Sequence, residues 1–306
     1  MTDQITAEGP IADAVAAVGA ADAVQGLAPG TDQWQQCITA SKVAAILGVD
    51  GFGGSRYQMW QQIAGRWHPT FNGNSATDRG TCLEAGVAEW WLLDHPGYEI
   101  AWAGTWRSRR AEWAYATPDY LVQEPDGTLA LLEVKTSARM DGWGDPARGE
   151  IPMHYWTQIA WQAIVTGVKR VHVTVLGTFL ERTDYLIEFD DFILDNVFEE
   201  VQGFYDTLPG QPHEEEPEST SPLLDWEAIL AVTAVSVEQV DVSEEYGAYR
   251  DAKLQEREAK AAVDDAKKKI VVLAAAGQEA TVDGKVVAVR NKKGDNFTFR
   301  PVKKPS

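Results

Sequence analysis

The sequence predicts an α/β protein of the α+β kind, with a central mixed β-sheet flanked by helices and then a C-terminal helical arm and small β-hairpin. Three observations carry this. Residues 116–137, ATPDYLVQEPDGTLALLEVKTS, place two runs rich in β-formers, 120–123 and 128–135, around the turn residues 124–127, which is a hairpin signature. Helical periodicities stand on either side of it, at 77–93 and 153–166. Two apolar strands, 169–176 and 183–189, follow, so the order is helix, helix, strands, hairpin, helix, strand, strand.

In chain order, residues 1–30 are rich in Ala and Gly, with scattered acids and no aromatic residue, and read as a flexible N-terminal segment with at most one frayed helix. Residues 31–209 read as the main domain. Within it, 39–47 is a short helix with Thr39 or Ser41 near its start as the cap and Gly48 at its end. A glycine-rich loop at 51–55 leads to a second short helix, 56–65. No Gly-Lys-Ser/Thr follows that loop, so it is not a phosphate-binding loop of the nucleotide type. The stretches 98–109 and 112–116 read as strands entering the hairpin, and 137–152 as a loop containing DGWGDP. His172, inside the strand 169–176, reads as a core or edge histidine. Residues 190–208 are helical. Residues 210–222 (GQPHEEEPESTSP) form an acidic, proline-bearing linker. Residues 223–306 form an accessory region: a long charged, alanine-rich helix over 243–276 ended by Gly277, then a hairpin from 280–290 and 296–301 with Lys292–Gly294 as its turn. Lys267–Lys269 read as part of a solvated helix face.

Composition bounds the function. The 306 residues include 12 Trp and 44% hydrophobic residues, enough for a substantial core. No apolar run is long enough to span a bilayer, and 11–20 is too short and too alanine-rich for a secretory signal, so a cytoplasmic protein with no membrane partner is expected. Cys37 and Cys82, the two cysteines, provide neither a disulfide framework nor a cysteine metal or iron–sulfur site. Net charge is −19, with most of the excess in residues 1–212, which argues against a broad nucleic-acid-binding surface but leaves room for a narrow channel with local Arg and Lys.

The chemistry concentrates in the hairpin. Asp119 stands at the start of one strand and Glu133 within the other, so pairing brings them together. Glu133 and Lys135 alternate with Val134 and point to one face. Two carboxylates and an ammonium on one sheet face are costly unless they serve a divalent metal beside a phosphate. In the helix 77–93, Glu84, Val87, Ala88 and Trp91 share a face, so Glu84 lies on the apolar side while Glu89 is solvated. From that helix alone, the expected partner of Glu84 is a nearby arginine such as Arg79. In the helix 153–166, Tyr155, Gln158 and Gln162 form one polar stripe. Singly, each of these residues has an ordinary structural explanation; the ordered set does not.

That ordered set resembles the PD-(D/E)XK nuclease superfamily and, within it, the bacteriophage lambda exonuclease family of YqaJ-like viral recombinases, over roughly 34–189. Ile38-Thr39-Ala40-Ser41 is similar to the family's N-terminal phosphate-contacting segment, and Gly80-Thr81-Cys82-Leu83-Glu84 to its helix-borne glutamate motif. Thr117-Pro118-Asp119 and Glu133-Val134-Lys135 match its metal and catalytic motifs. Tyr155-Trp156-Thr157-Gln158 resembles the following helix, whose glutamine lies at the active site.

The resemblance implies a PD-(D/E)XK restriction-endonuclease-like core and a Mg²⁺-dependent 5′-to-3′ exonuclease acting on double-stranded DNA ends. Such an enzyme leaves 3′ single strands for phage-type recombination through a single-strand annealing protein. Asp119, Glu133 and the Val134 carbonyl would bind metal, with Glu84 completing one of two sites. The ions would lie roughly 3.5–4 Å apart, and Mn²⁺ would substitute for Mg²⁺. Lys135 would position the attacking water and stabilise the transition state, Gln158 would orient the water, and Tyr155 would support the site or contact DNA. Thr39, Ser41 and Thr117 would donate to a 5′-phosphate. The family's phosphate-binding arginine before the Ile-Thr-Ala-Ser segment is replaced here by Gln35, Gln36 and Cys37, and Arg56 is the expected substitute. A ring-shaped homo-oligomer in the host cytoplasm is also implied. Two alternatives are an endonuclease of the same fold and a non-catalytic scaffold that binds DNA ends.

Overall fold

The computed structural model describes residues 8–25, 27, 31–49, 54–69, 73–219, 243–273, 279–282, 285–290 and 297–299. The chain divides into two compact units, Met1–Val235 and Ser236–Ser306. Among the described residues, no helix is long and apolar enough to cross a membrane.

The first unit is a mixed α/β structure with two sheets. Its elements are α1 (Pro10–Val18), β1 (Ala21–Val24), α2 (Asp32–Gln36), β2 (Ile38–Thr39), α3 (Ala40–Ile46), α4 (Arg56–Ile63), α5 (Ser75–Leu93), β3 (Glu99–Trp102), β4 (Thr105–Ser108), β5 (Ala114–Ala116), β6 (Tyr120–Gln123), β7 (Leu129–Thr136), α6 (Met153–Thr166), β8 (Arg170–Leu176), β9 (Arg182–Glu188) and α7 (Asp191–Tyr205). The larger sheet runs β3-β6-β7-β8-β9, antiparallel except for the parallel pair β7–β8. The smaller sheet runs β1-β4-β5-β2, with β2 parallel to β5.

The hairpin β6–β7 forms as its turn chemistry dictates. Gly127 takes φ +86, a conformation that favours glycine, and the Asp126 carboxylate accepts from the Thr128 N–H at 2.9 Å. β7 is buried on both faces. Ala130, Leu132 and Val134 pack under Val87, Ala88 and Trp91 of α5. Leu131 faces the main core with Ile159, Trp161 and Val165 of α6. This two-sided burial is what a strand at the middle of a mixed sheet requires.

Three expectations are corrected. The stretch 98–109 is not one strand: the chain turns at Gly104 (φ 62), so β3 joins the larger sheet and β4 the smaller. The N-terminal segment is built into the fold between residues 10 and 24. Ile11, Ala12 and Val15 of α1 are buried, and β1 pairs antiparallel with β4 from Ala21↔Ser108 to Val24↔Thr105. Its alanines are small enough for close packing, which composition alone reads as low hydrophobic content. The acidic stretch from 210 folds back as far as it is described: His213 N–H donates to the Asp206 carbonyl, and Glu216 accepts from Gln61 and Arg66 of the α4 region, each at 2.8 Å.

The second unit holds α8 (Ser243–Leu273), β10 (Glu279–Val282), β11 (Lys285–Arg290) and β12 (Phe297–Phe299). The strands form a three-stranded antiparallel sheet rather than a two-stranded hairpin, because 279–290 is itself a hairpin. On α8, Leu254 and Val263 are exposed, and Lys269 pairs with Asp265 one turn before it. The central glycines of the 51–55 loop, Gly277 and Lys292–Gly294 lie outside the described residues, as do residues 220–242.

Candidate active site

The site is assembled from β7, the start of β6, and α6. Glu133 is 1% exposed, and both of its carboxylate oxygens are engaged. Lys135, two residues on along the same face, donates to Oε1. From α6, Gln158 Nε2 donates to Oε1 at 2.6 Å and Gln162 Nε2 to Oε2 at 2.8 Å. The period of two in the strand and the i, i+4 spacing in the helix therefore converge on one carboxylate. Asp119, immediately before β6, accepts through Oδ2 from the Val134 N–H at 2.7 Å, which binds it across the hairpin to the residue between Glu133 and Lys135.

The electrostatics are those of a crowded acid cluster. Burial and the Glu133 charge hold the Asp119 carboxyl well above the ordinary carboxylate range, and burial and Glu133 also raise Glu84. Burial opposes the Lys135 ammonium, but the Glu133 and Asp119 charges overcome it, so Lys135 titrates above its ordinary value and is charged at neutral pH. Its Nζ also stands 5.2 Å from the centre of the Tyr155 ring, an aromatic face turned to a cation. One ammonium thus faces three carboxylates.

With this geometry in place, relatives can be compared. Residues 32–169 match the family model described as the YqaJ-like viral recombinase domain. The match covers a little under half of the chain. Its span includes the hairpin, α5 and all of α6. Among solved structures, the chain is similar to an alkaline exonuclease from Laribacter hongkongensis, at 23% identity over 57% of this chain and 91% of that one, with a TM-score of 0.45. It is also similar to a phage-related exonuclease from Haemophilus somnus, at 12% identity over 55% and 91%, with a TM-score of 0.40. No curated protein matches it.

The remaining candidates also lie within the matched residues. Glu84 is close enough to feel the charges of Glu133 and Lys135, and it shares a helix face with the buried Val87, Ala88 and Trp91. The ion pair with Arg79 that the helix alone leads one to expect is not formed. Residues five apart on a helix lie about 140° apart around its axis, so Arg79 and Glu84 do not share a face. Thr39 is buried and occupies the cap position of α3 without capping it; its Oγ1 lies 3.4 Å from the Ser41 hydroxyl, and Ser41 is exposed. Thr117, exposed two residues before Asp119, shares a hydrogen bond of 2.9 Å with Thr105. Arg56 is engaged elsewhere: it donates to the Ile46 carbonyl at 2.6 Å and lies over the Phe204 ring, which makes it a brace between α3 and α7.

Two groups escaped the sequence reading. The sequence pattern puts Gln162 on the polar stripe without marking it as a site residue, although its i, i+4 relation to Gln158 is the available signal. Lys42, 4% exposed, donates to the carbonyls of Trp34, Gln35 and Cys37 at 2.6, 2.8 and 2.6 Å. It thereby ties down the segment that leads into Thr39 and Ser41. Burial lowers its ammonium to about 7.

The residues can be weighed against a divalent metal. Their donors are hard oxygens, and their negative charge exceeds that of the single Lys135, which suits Mg²⁺. Among the described residues, no three His, Cys, Asp or Glu side chains converge closely enough to hold an ion in this arrangement, where the ammonium occupies Glu133. The set fits a divalent cation in donor type and charge.

Proposed function

We propose that this protein hydrolyses phosphodiester bonds of double-stranded DNA from its 5′ ends, leaving 3′ strands for an annealing protein. The observation that carries the reading is the convergence of Lys135, Gln158 and Gln162 on the buried Glu133, with Asp119 locked beside it, inside a YqaJ-like domain. A Mg²⁺ ion, or a pair, would be held by Asp119, Glu133, the Val134 carbonyl and Glu84. When bound it would supply an activated water and neutralise charge on the scissile phosphate.

The chain's own groups have separate tasks. Lys135 stays protonated and stabilises negative charge as it develops on the phosphoryl oxygens. Gln158 and Gln162 fix the Glu133 carboxylate, so its direction does not depend on Lys135 alone. Tyr155 places an aromatic face against the Lys135 ammonium. The hydroxyls of Ser41, Thr39 and Thr117 donate to phosphate oxygens along the strand. These hydroxyls carry no charge, so they orient the backbone without adding to long-range attraction.

The test is digestion of linear duplex DNA labelled separately at each 5′ and 3′ end, with Mg²⁺ and with chelator, using wild type and Lys135→Ala. Early, metal-dependent release of 5′ label by wild type alone is expected. Absence of cleavage by wild type in either Mg²⁺ or Mn²⁺ would refute the reading. Cleavage of covalently closed circles would replace an exonuclease with an endonuclease.

A further inference from the structure

The inference begins from where the positive charge of an acidic protein is used. Residues 1–219 contain thirteen Lys and Arg. Nine meet a carboxylate, although Arg139 reaches Asp141 only at 3.8 Å with both side chains in solvent. Lys42 and Arg56 donate to backbone carbonyls, and the Arg107 guanidinium lies near the Tyr115 phenol. Arg79 has no acceptor among the described residues.

Arg79 is half-buried, whereas Asp78 before it and Thr81 after Gly80 are exposed. A partly exposed guanidinium with no protein acceptor among the described residues keeps water as its partner and can exchange that water for an anion. The next residue, Gly80, is where α5 lies against the end of β7: a Cβ at Gly80 would stand 4.0 Å from the Thr136 hydroxyl. Thr136 directly follows Lys135. Glu84, one turn further along α5, feels the charges of Glu133 and Lys135. Arg79 therefore belongs to the turn of α5 that meets the Lys135 end of β7, and the helix geometry that separates it from Glu84 leaves it without a carboxylate partner among the described residues.

We infer that Arg79 binds a phosphate of the nucleic-acid strand that lies across the Asp119–Glu133–Lys135 cluster. This deepens the hydrolytic reading and rests on it. A guanidinium matches phosphate oxygens in a two-pronged geometry, and a cation with no carboxylate partner among the described residues supplies local attraction that the acidic surface as a whole lacks. The phosphate is either the terminal 5′ group or an internal diester, and the two are separable.

The experiment measures binding of a fluorescein-labelled duplex, with either a 5′-phosphate or a 5′-hydroxyl, in Ca²⁺ over a salt series. Digestion in Mg²⁺ runs in parallel. The full-length chain is compared with Arg79→Gln, Arg79→Lys and, as a control for charge loss, Arg109→Gln, whose arginine is paired with Asp22 on the surface. Arg79→Gln should bind about tenfold more weakly, and the slope of log affinity against log salt should fall by about 0.9, the value of one duplex phosphate contact. Arg79→Lys should keep the slope, and Arg109→Gln should behave as wild type. A loss confined to 5′-phosphorylated duplex identifies the terminal group; an equal loss on both identifies a diester. A wild type that cleaves, with Arg79→Gln matching Arg109→Gln in affinity and slope, overturns this inference alone. A wild type that neither binds nor cleaves removes the hydrolytic reading and this inference with it.

Discussion

Replacing Gln162 by Met separates positioning from stability at the Glu133 site. Gln162 is fully buried and gives Glu133 Oε2 a 2.8 Å hydrogen bond. Losing a donor to an ionised acceptor costs about 1.5–3 kcal/mol. The other end of the same amide offsets this. Gln162 Oε1 is buried with no hydrogen-bond partner, and an unsatisfied buried group of this kind costs about 1–3 kcal/mol, which Met would remove. The two effects are comparable, and Met keeps nearly the same volume, so the expected net change in unfolding free energy is within about 1.5 kcal/mol. Activity should respond differently. Glu133 would retain Lys135 and Gln158, both on Oε1, and lose the donor that fixes Oε2. Groups that orient such a carboxylate typically count for about 10–100-fold, so kcat should fall by that factor with little change in KM. Urea denaturation and steady-state digestion of linear duplex measure the two quantities. A fall in stability of more than about 3 kcal/mol, or an unchanged kcat, would refute the reasoning.

Other substitutions test the scaffold around the site. Gly167 closes α6 at φ +75, and a Cβ there would stand 2.6 Å from Ala20 Cβ and 2.9 Å from Val18 Cγ1. Gly167→Ala should cost at least the left-handed penalty of about 1–2 kcal/mol and should displace the α1–β1 connection, seen as faster proteolysis within residues 8–25. Unaltered proteolysis there would contradict the docking of the N-terminal segment. At the far end of the sheet, His172 donates from Nε2 to Glu124 at 2.8 Å, since an ionised carboxylate can only accept. Burial lowers His172 from its ordinary value of 6.5, so the unfolded chain binds its proton first and stability should decline as pH falls below about 6.5. Burial would raise Glu124, but hydrogen bonds from His172 and Arg170 outweigh it, and its contribution is lost at still lower pH. Thermal unfolding of His172→Gln should show a shallower decline between pH 6.5 and 5 than wild type; equal slopes would exclude His172 as a source.

The parts of the site that were legible in the sequence are those governed by local periodicity. A strand repeats every two residues, so Glu133 and Lys135 had to share a face, and the turn at Asp126-Gly127 set the hairpin that brings the Asp119 carboxylate within reach of the Val134 N–H. The helix period placed Gln158 and Gln162 on one stripe and Glu84 in line with Trp91. What stayed hidden depends on long-range pairing. Nothing near Gly104 announces that β3 and β4 belong to different sheets. The partners of His172 are Glu124 and the aromatic rings of Trp91, His95 and Tyr98, which are distant in sequence. The N-terminal helix was obscured for another reason: its buried face is mostly Ala and Val, and small residues pack closely without giving a strong hydrophobic pattern.

The excess of acid also looks different once partners are known. Much of the basic complement is spent within the fold, on surface pairs such as Arg109–Asp22 and Lys169–Asp191 or on carbonyls, as with Lys42 and Arg56. Exposed pairs of this kind add little stability, but they cancel charges that would otherwise draw any polyanion to the surface. The proposed substrate would then be attracted chiefly near Glu133, where Lys135 is held charged, and at Arg79, which has no acceptor among the described residues. In that arrangement an acidic surface and a nucleic-acid substrate are compatible. The surface discourages binding along the length of a duplex, and the few cations beside Glu133 favour the position at which a phosphate can be attacked.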